Sequence, residues 1–146
     1  WGESTRALAE ARYAVSVASV FEVGRVPQIT PLPNVPSWLR GVVNLRGEIL
    51  SIIDFRSFLG LAETQAREHS RMLVVKSAGE EVTTSLIVDR VVGIVQLPQA
   101  RLEAPPAPDS DRVAPYLSGV CQHQEHVLAI FNLENFLLSP EVCQFS

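Results

Sequence analysis

Lysine occurs once in the 146 residues, at Lys76, methionine once and cysteine only twice. Nowhere is there an apolar run of about 18 residues, the length at which a membrane-spanning helix becomes a candidate. Each scarcity excludes something. Cys121 and Cys143 have no repeated spacing, so they make no disulfide framework, and reduced thiols in a cytoplasmic protein are the expectation. Without a long apolar run, direct membrane insertion is not expected, and the opening "WGESTRALAE" lacks the basic and apolar regions of a signal peptide. The 12 basic residues are scattered and outnumbered by 16 acidic ones, for a net charge of -4. Neutralising phosphates requires clustered positive charge, so nucleic acid is not an expected partner. Eleven of the 12 basic residues are Arg, which reflects either a contact surface suited to carboxylates or plain codon bias.

What remains is a chain with 47% hydrophobic and 19% charged residues, long enough for one ordinary domain or two small lobes sharing a core. The alternation in "RYAVSV" puts Tyr13, Val15 and Val17 on one face. With "VFEVGRV", residues 12–26 read as two short strands or one bent strand. "PQITPLPNVP" is an extended connection because its prolines cannot serve a central strand, and "PSWLR" begins a helical turn. Strands follow at 42–45 and 48–53, turning at Gly47. In "DFRSFLG", Asp54 caps a short helix with Phe55, Phe58 and Leu59 on its apolar side and Gly60 as its stop.

Residues 62–70 are polar and read as a loop. "RMLVVK", "VTTSLIVD" and "VVGIVQLP" read as three strands, and "EAPPAPDSD" at 103–111 as a mobile loop. "LSGVCQ" and "HVLAIF" form a strand pair, closed by the short amphipathic helix "LENFLLS". Many short strands with turn signals and only single-turn helices predict an all-β fold of barrel or sandwich type.

The chain also repeats itself. Residues 35–59 laid over 113–137 without gaps share eight of 25 positions: Val35/Val113, Leu39/Leu117, Gly41/Gly119, Val42/Val120, Leu50/Leu128, Ile52/Ile130, Phe58/Phe136 and Leu59/Leu137. Chance composition gives roughly one or two, so one supersecondary unit occurs twice. What recurs is apolar or Gly. What differs is polar: "NLRGE" in the first copy stands against "QHQEH" in the second. Needs of the fold shared by both copies therefore do not explain Asn44, Arg46 and Gly47.

No phosphate loop, dinucleotide fingerprint, nucleophile elbow or H-E-x-x-H zinc motif is present. A Ser118, His123, Asp89 triple is a chance combination any domain this size offers. Cys121, His123 and His126 form the most ligand-like cluster, and a metal-dependent or hydrolytic enzyme using them is a rival reading, but no fourth ligand is near and histidines at a polar turn are commonplace. "DSDR" at 109–112 lacks the Gly and Glu of a calcium loop. Asp54 and Asp89 each end an apolar strand, where capping is sufficient reason for a carboxylate. No cofactor and no metal are assigned.

"ITPLPNVPSWLRGVVNLRGEILSIIDFRSFLGL", then "LIVDRVVGIVQLP", then "YLSGV" and "VLAIFNLENFLL" resemble, in order and over about residues 12–138, the CheW-type coupling proteins of bacterial chemosensory arrays. The resemblance implies a non-enzymatic fold of two small, roughly five-stranded, SH3-like β barrels on a shared hydrophobic core. The lobes would come mainly from about 12–60 and 71–138, with strands exchanged between them. It implies as partners the cytoplasmic tip of a chemoreceptor and the regulatory domain of a CheA-type histidine kinase, with the protein itself a monomer or weakly self-associating. By matching position, Val20, Glu22, Gly41 and Arg46, with Asn44 beside them, fall on the receptor groove, Glu22 and Arg46 facing each other; a plain structural ion pair is the simpler role for those two. The same module occurs inside kinases and other larger signalling proteins, which is an alternative setting for this chain. Two departures stand out. "WGESTRALAEA" replaces the family's apolar first strand, so either Trp1 and Gly2 end a strand or the first barrel lacks its edge, and Ser85 stands where the family often has Gly.

Overall fold

The computed structural model describes residues 12–60, 69–79, 82–94, 116–123 and 126–143. Along the chain run β1 (Arg12–Ala14), a 3-10 turn (Val17–Ser19), β2 (Val20–Gly24), β3 (Leu39–Leu45), β4 (Glu48–Asp54), α1 (Phe55–Phe58), β5 (Arg71–Lys76) and β6 (Thr83–Val88). β7 (Leu117–His123), β8 (His126–Phe131), α2 (Leu133–Leu137) and α3 (Pro140–Cys143) complete it. The all-β class holds. Residues 12–26 contain two short strands, separated where Ser16 caps the 3-10 turn by accepting from the Ala18 amide. That turn ends the alternation one step early and leaves Val17 exposed on the surface.

Two sheets form. One has the order β1-β8-β7 and the other β2-β5-β6-β4-β3. Neither closes into a barrel among the described residues, which corrects the expected pair of barrels. The five-stranded sheet is strongly curled, however. The chain leaving β2 returns to the far edge at Thr30, whose amide donates to the Val42 carbonyl while the Val42 amide donates back, both at 2.9 Å. Gly41 is the reason this fits. A β carbon there would sit 2.1 Å from the Thr30 carbonyl oxygen, and its φ of +143° disfavours any other residue. Nor do the sheets divide the chain at the boundary between 12–60 and 71–138. β5 and β6 lie with β2, β3 and β4, whereas β1 runs parallel to β8 in the other sheet. Of the strand expected over "VVGIVQLP", residues 91–94 pair with no described strand and are exposed, and the rest lie outside the described residues. The loops at 62–68 and 103–111 and the chain before Arg12 lie there too.

From Leu50 to Asp54 every residue of β4 is buried, without alternation, because both faces of the sheet are covered there. Inside the curl, Val43, Leu50, Ile52, Met72, Val74 and Ile87 pack together. On its outer face Ile53, Leu73, Val75 and Leu86 meet the second sheet. Ser85, fully buried on β6, donates to the Ser51 carbonyl at 2.6 Å, which satisfies its hydroxyl.

The repeat is structural. β3 and β7 carry the same register irregularity, between Leu39 and Gly41 in one and Leu117 and Gly119 in the other. Asp54 accepts from the Ser57 amide at 3.2 Å, and Asn132, its equivalent, accepts from the Asn135 amide at 2.9 Å. Only the first cap is charged. Asp54 is fully buried and its Oδ2 accepts from Arg40 Nη1 at 3.1 Å, whereas the second copy, with a neutral Asn, has Ser118 in place of that Arg. The two copies meet at their shared aromatic: Phe58 and Phe136 contact at 4.8 Å and 89°. Around them Trp38 stands edge-on to Phe58, Tyr116 edge-on to Phe136, and Phe131 edge-on to both Phe55 and Phe136. Tyr13 of β1 closes this cluster against Phe55 at 5.4 Å, and burial pushes its phenol above the usual value. Edge-to-face geometry lets each ring's positive rim meet a neighbour's negative face, about 0.5–1.5 kcal/mol per pair beyond area burial.

Phe58→Ala and Phe136→Ala are each expected to lower the unfolding free energy by about 3–5 kcal/mol, measured by chemical denaturation. The double variant should lose clearly less than the sum, because the second truncation enlarges a cavity already opened by the first.

Candidate functional site

The hairpin joining β3 to β4 turns over two residues, since Leu45 pairs directly with Glu48. Arg46 and Gly47 lie between them with φ of 51° and 87°. Two consecutive positive φ values define the hairpin turn whose twist matches the flanking strands, and its first place is ordinarily held by Asn, Asp or Gly. Arg46 occupies it against a left-handed penalty of about 1–2 kcal/mol. Asn44 reinforces the turn: its Oδ1 accepts from the Gly47 amide at 3.0 Å.

From this tip Arg46 Nη2 donates to Glu22 Oε1 on β2. β3 and β2 are the two outer strands of the curled sheet, so the pair spans the open seam between its edges. Glu22 is aimed there by a bulge. The register of β2 on β5 shifts between Val20 and Glu22, so Val20 pairs with Val75 and Glu22 with Val74. Val75 belongs to the core between the sheets and Val74 to the core inside the curl. The bulge at Phe21 therefore puts Val20 and Glu22 on opposite faces, although residues two apart on a regular strand share one.

Of the five residues singled out in the sequence, the structure joins Glu22 to Arg46 and sets Asn44 under the same turn. Val20 packs, half-buried, against the core between the sheets. Gly41 is buried beneath Thr30. Those two shape the site from below. Phe21 and Val23, which flank Glu22, are each 50% exposed, and Lys76 Nζ lies 4.5 Å from the Phe21 ring centre. They went unnoticed in the sequence, yet the alternation in "VFEV" carried the signal: once Glu22 is placed, its neighbours point away from it. Arg46 is 71% and Glu22 35% exposed, so the pair is open to a partner and adds little to folding stability.

The rival cluster fares differently. Cys121 is buried, with its thiol 3.6 Å from the Gln122 carbonyl. The side chains of His123 and His126 lie outside the described residues, and among the described residues no group of three His, Cys, Asp or Glu is placed to hold a metal. Asp89 accepts from Arg56 Nη1 at 3.0 Å, which ties α1 to the end of β6. No helix among the described residues is long and apolar enough to cross a membrane.

A duplicated β unit thus presents a solvent-open ion pair on a left-handed turn, at the seam between the edges of its larger sheet. The chain belongs to the CheW-like domain family, whose model matches residues 5–141. It is 36% identical over 119 residues to the protein PilI of Pseudomonas aeruginosa, covering 80% of this chain and 65% of PilI. To FrzA of Myxococcus xanthus it is 34% identical over 125 residues, covering 86% of this chain and 76% of FrzA. The fold is similar to the crystal structure of the scaffolding protein TtCheW from Thermoanaerobacter tengcongensis, with a TM-score of 0.77, 26% identity, and coverage of 92% of this chain and 90% of that one.

Arg46→Asn removes the ion pair and the left-handed penalty together. The unfolding free energy should equal that of the parent or exceed it by up to about 2 kcal/mol, since relief of the left-handed penalty, about 1–2 kcal/mol, outweighs or cancels an exposed pair worth about 0–1 kcal/mol. Denaturation of both proteins in urea checks this.

Proposed function

We propose that this chain is a non-enzymatic coupling scaffold that joins the cytoplasmic tip of a chemoreceptor to the regulatory domain of a CheA-type histidine kinase, in a chemotaxis or pilus-motility pathway. It acts in the cytoplasm and reaches the membrane only through its partners. Membership of the CheW-like family and the likeness to PilI, FrzA and TtCheW support the class of function. The observation that carries the site is Arg46. An exposed arginine in a turn position suited to Asn or Gly, absent from the second copy of the unit, has no explanation in folding.

In this reading the receptor supplies an antiparallel helical hairpin, which lies along the seam where Arg46 meets Glu22. The guanidinium presents several donors in one plane, so holding Glu22 leaves it able to orient a polar group of the partner. Apolar contact then provides most of the affinity and the charged pair fixes orientation. Val20 and Gly41 act indirectly, by holding β2 and β3 in place. The kinase regulatory domain docks elsewhere on the sheets, so both partners are held at once. Receptor state then reaches the kinase through their relative placement.

A pull-down with a cognate receptor tip and a kinase regulatory domain tests this. Both should bind the parent chain, and Arg46→Ala should weaken receptor retention by about tenfold, as loss of a charge-assisted contact does, while leaving kinase retention within about twofold. Undiminished receptor retention by the variant would remove Arg46 from the site.

A further inference from the structure

Glu22 reaches Arg46 only because β2 carries one residue more than β5 has places for. Val20 pairs with Val75 and Glu22 with Val74, so Phe21 has no opposite residue. Counting on from Val20 without that extra residue would set Phe21 opposite Val74, Glu22 opposite Leu73 and Val23 opposite Met72. Directly opposite residues share a face of the sheet. Val74 and Met72 belong to the core inside the curl, and Leu73 to the core between the sheets. A regular strand would therefore turn Glu22 toward the apolar core between the sheets and bring Phe21 and Val23 into the curl.

The two registers compete. Burying a carboxylate against Leu73 is costly, which favours the bulge, whereas Phe21 and Val23, each 50% exposed in the bulged strand, would gain apolar burial in the regular one. Phe21 belongs to neither core, so burial does not hold it in place. Its ring carries a cation instead. Lys76 Nζ lies 4.5 Å from the ring centre, within the range of about 6 Å over which a cation is attracted to an aromatic face. Lys76 is the last residue of β5, next to Val75, and the single lysine of the chain. The contact thus ties the extra residue of β2 to the neighbouring strand beside the bulge.

We propose that Lys76 is a positioning residue for the seam: by holding the Phe21 ring it keeps the bulge in β2 and so delivers Glu22 to Arg46. Its bearing on binding rests on the reading of the seam as the receptor site. Glu22 faces Arg46 only in the bulged register, so the affinity of the seam for a partner follows the fraction of chains that hold that register.

Nuclear magnetic resonance on the isotope-labelled full chain tests it first without any partner. In the parent, cross-strand contacts should run from Glu22 to Val74, with sharp Phe21 and Glu22 amides. Lys76→Met, which keeps the side chain long and removes its charge, and Phe21→Leu should each broaden those amides by exchange and introduce contacts from Glu22 to Leu73. The double variant should go no further than either single one, a cycle that isolates this pair from any other contact of Lys76. Lys76→Arg should restore the parent spectrum, since a guanidinium also stacks on a ring. Retention of the receptor tip should fall by about twofold to fivefold in Lys76→Met, the range an exposed cation–π contact allows, and recover in Lys76→Arg. An unchanged Glu22–Val74 register in both Lys76→Met and Phe21→Leu would overturn the proposal. So would a changed register with receptor retention undiminished while Arg46→Ala still lowers it. If Arg46→Ala leaves retention unchanged, the receptor reading falls, and the register alone decides the role of Lys76.

Discussion

The edge-to-face contact of Phe58 with Phe136 is the interaction on which the rest of the molecule depends. The two rings are the same position of a unit used twice, so each copy completes its core with the other copy's aromatic. Short sheets have too little interior to stand alone, and a three-stranded sheet least of all. Joining them through equivalent residues lets one sequence pattern serve both halves. Trp38, Tyr116, Phe55 and Phe131 surround the contact, and the capped single-turn helices exist to bring the rings there. The exchange of β1 into the sheet of β7 and β8 adds Tyr13 to the same cluster.

Once the recurrent positions are accounted for by this core, the positions that differ carry the individuality of each half. Asp54 has Arg40 as counter-charge where Asn132 needs none, a local compensation for burying a carboxylate. Arg56 reaches Asp89, whereas Glu134 at the equivalent place accepts from the Ala78 amide at 2.9 Å. Both contacts pin a short helix to its surroundings. Arg46 differs in kind, because it sits in a conformation that disfavours it and reaches across an open seam to an exposed partner. A turn of Asn and Gly would close the same hairpin with less strain.

Much of this was legible in the sequence because it rests on local rules and on self-comparison. The strands expected at 42–45 and 48–53 are present, the first starting three residues earlier at Leu39, and they follow from apolar runs, as the Asp54 cap and the Gly60 stop follow from capping chemistry and a positive φ. The pairing of Glu22 with Arg46 came from family resemblance. What the sequence concealed is non-local. The return of Thr30 to β3 depends on chain direction after the prolines, and Gly41 looks like any strand glycine until that crossing is seen. The bulge at Phe21 carries no compositional mark, so nothing in the sequence shows that Val20 and Glu22 face opposite sides of β2.

The central claim is that the duplicated core makes the fold while the Glu22–Arg46 seam serves a partner. A double-mutant cycle over Glu22→Gln and Arg46→Asn, read twice on the same four proteins, tests it most directly. The account predicts a coupling in unfolding free energy below about 1 kcal/mol and a larger coupling in affinity for the receptor's helical hairpin. A coupling confined to unfolding, with receptor affinity equal in all four proteins, would contradict it.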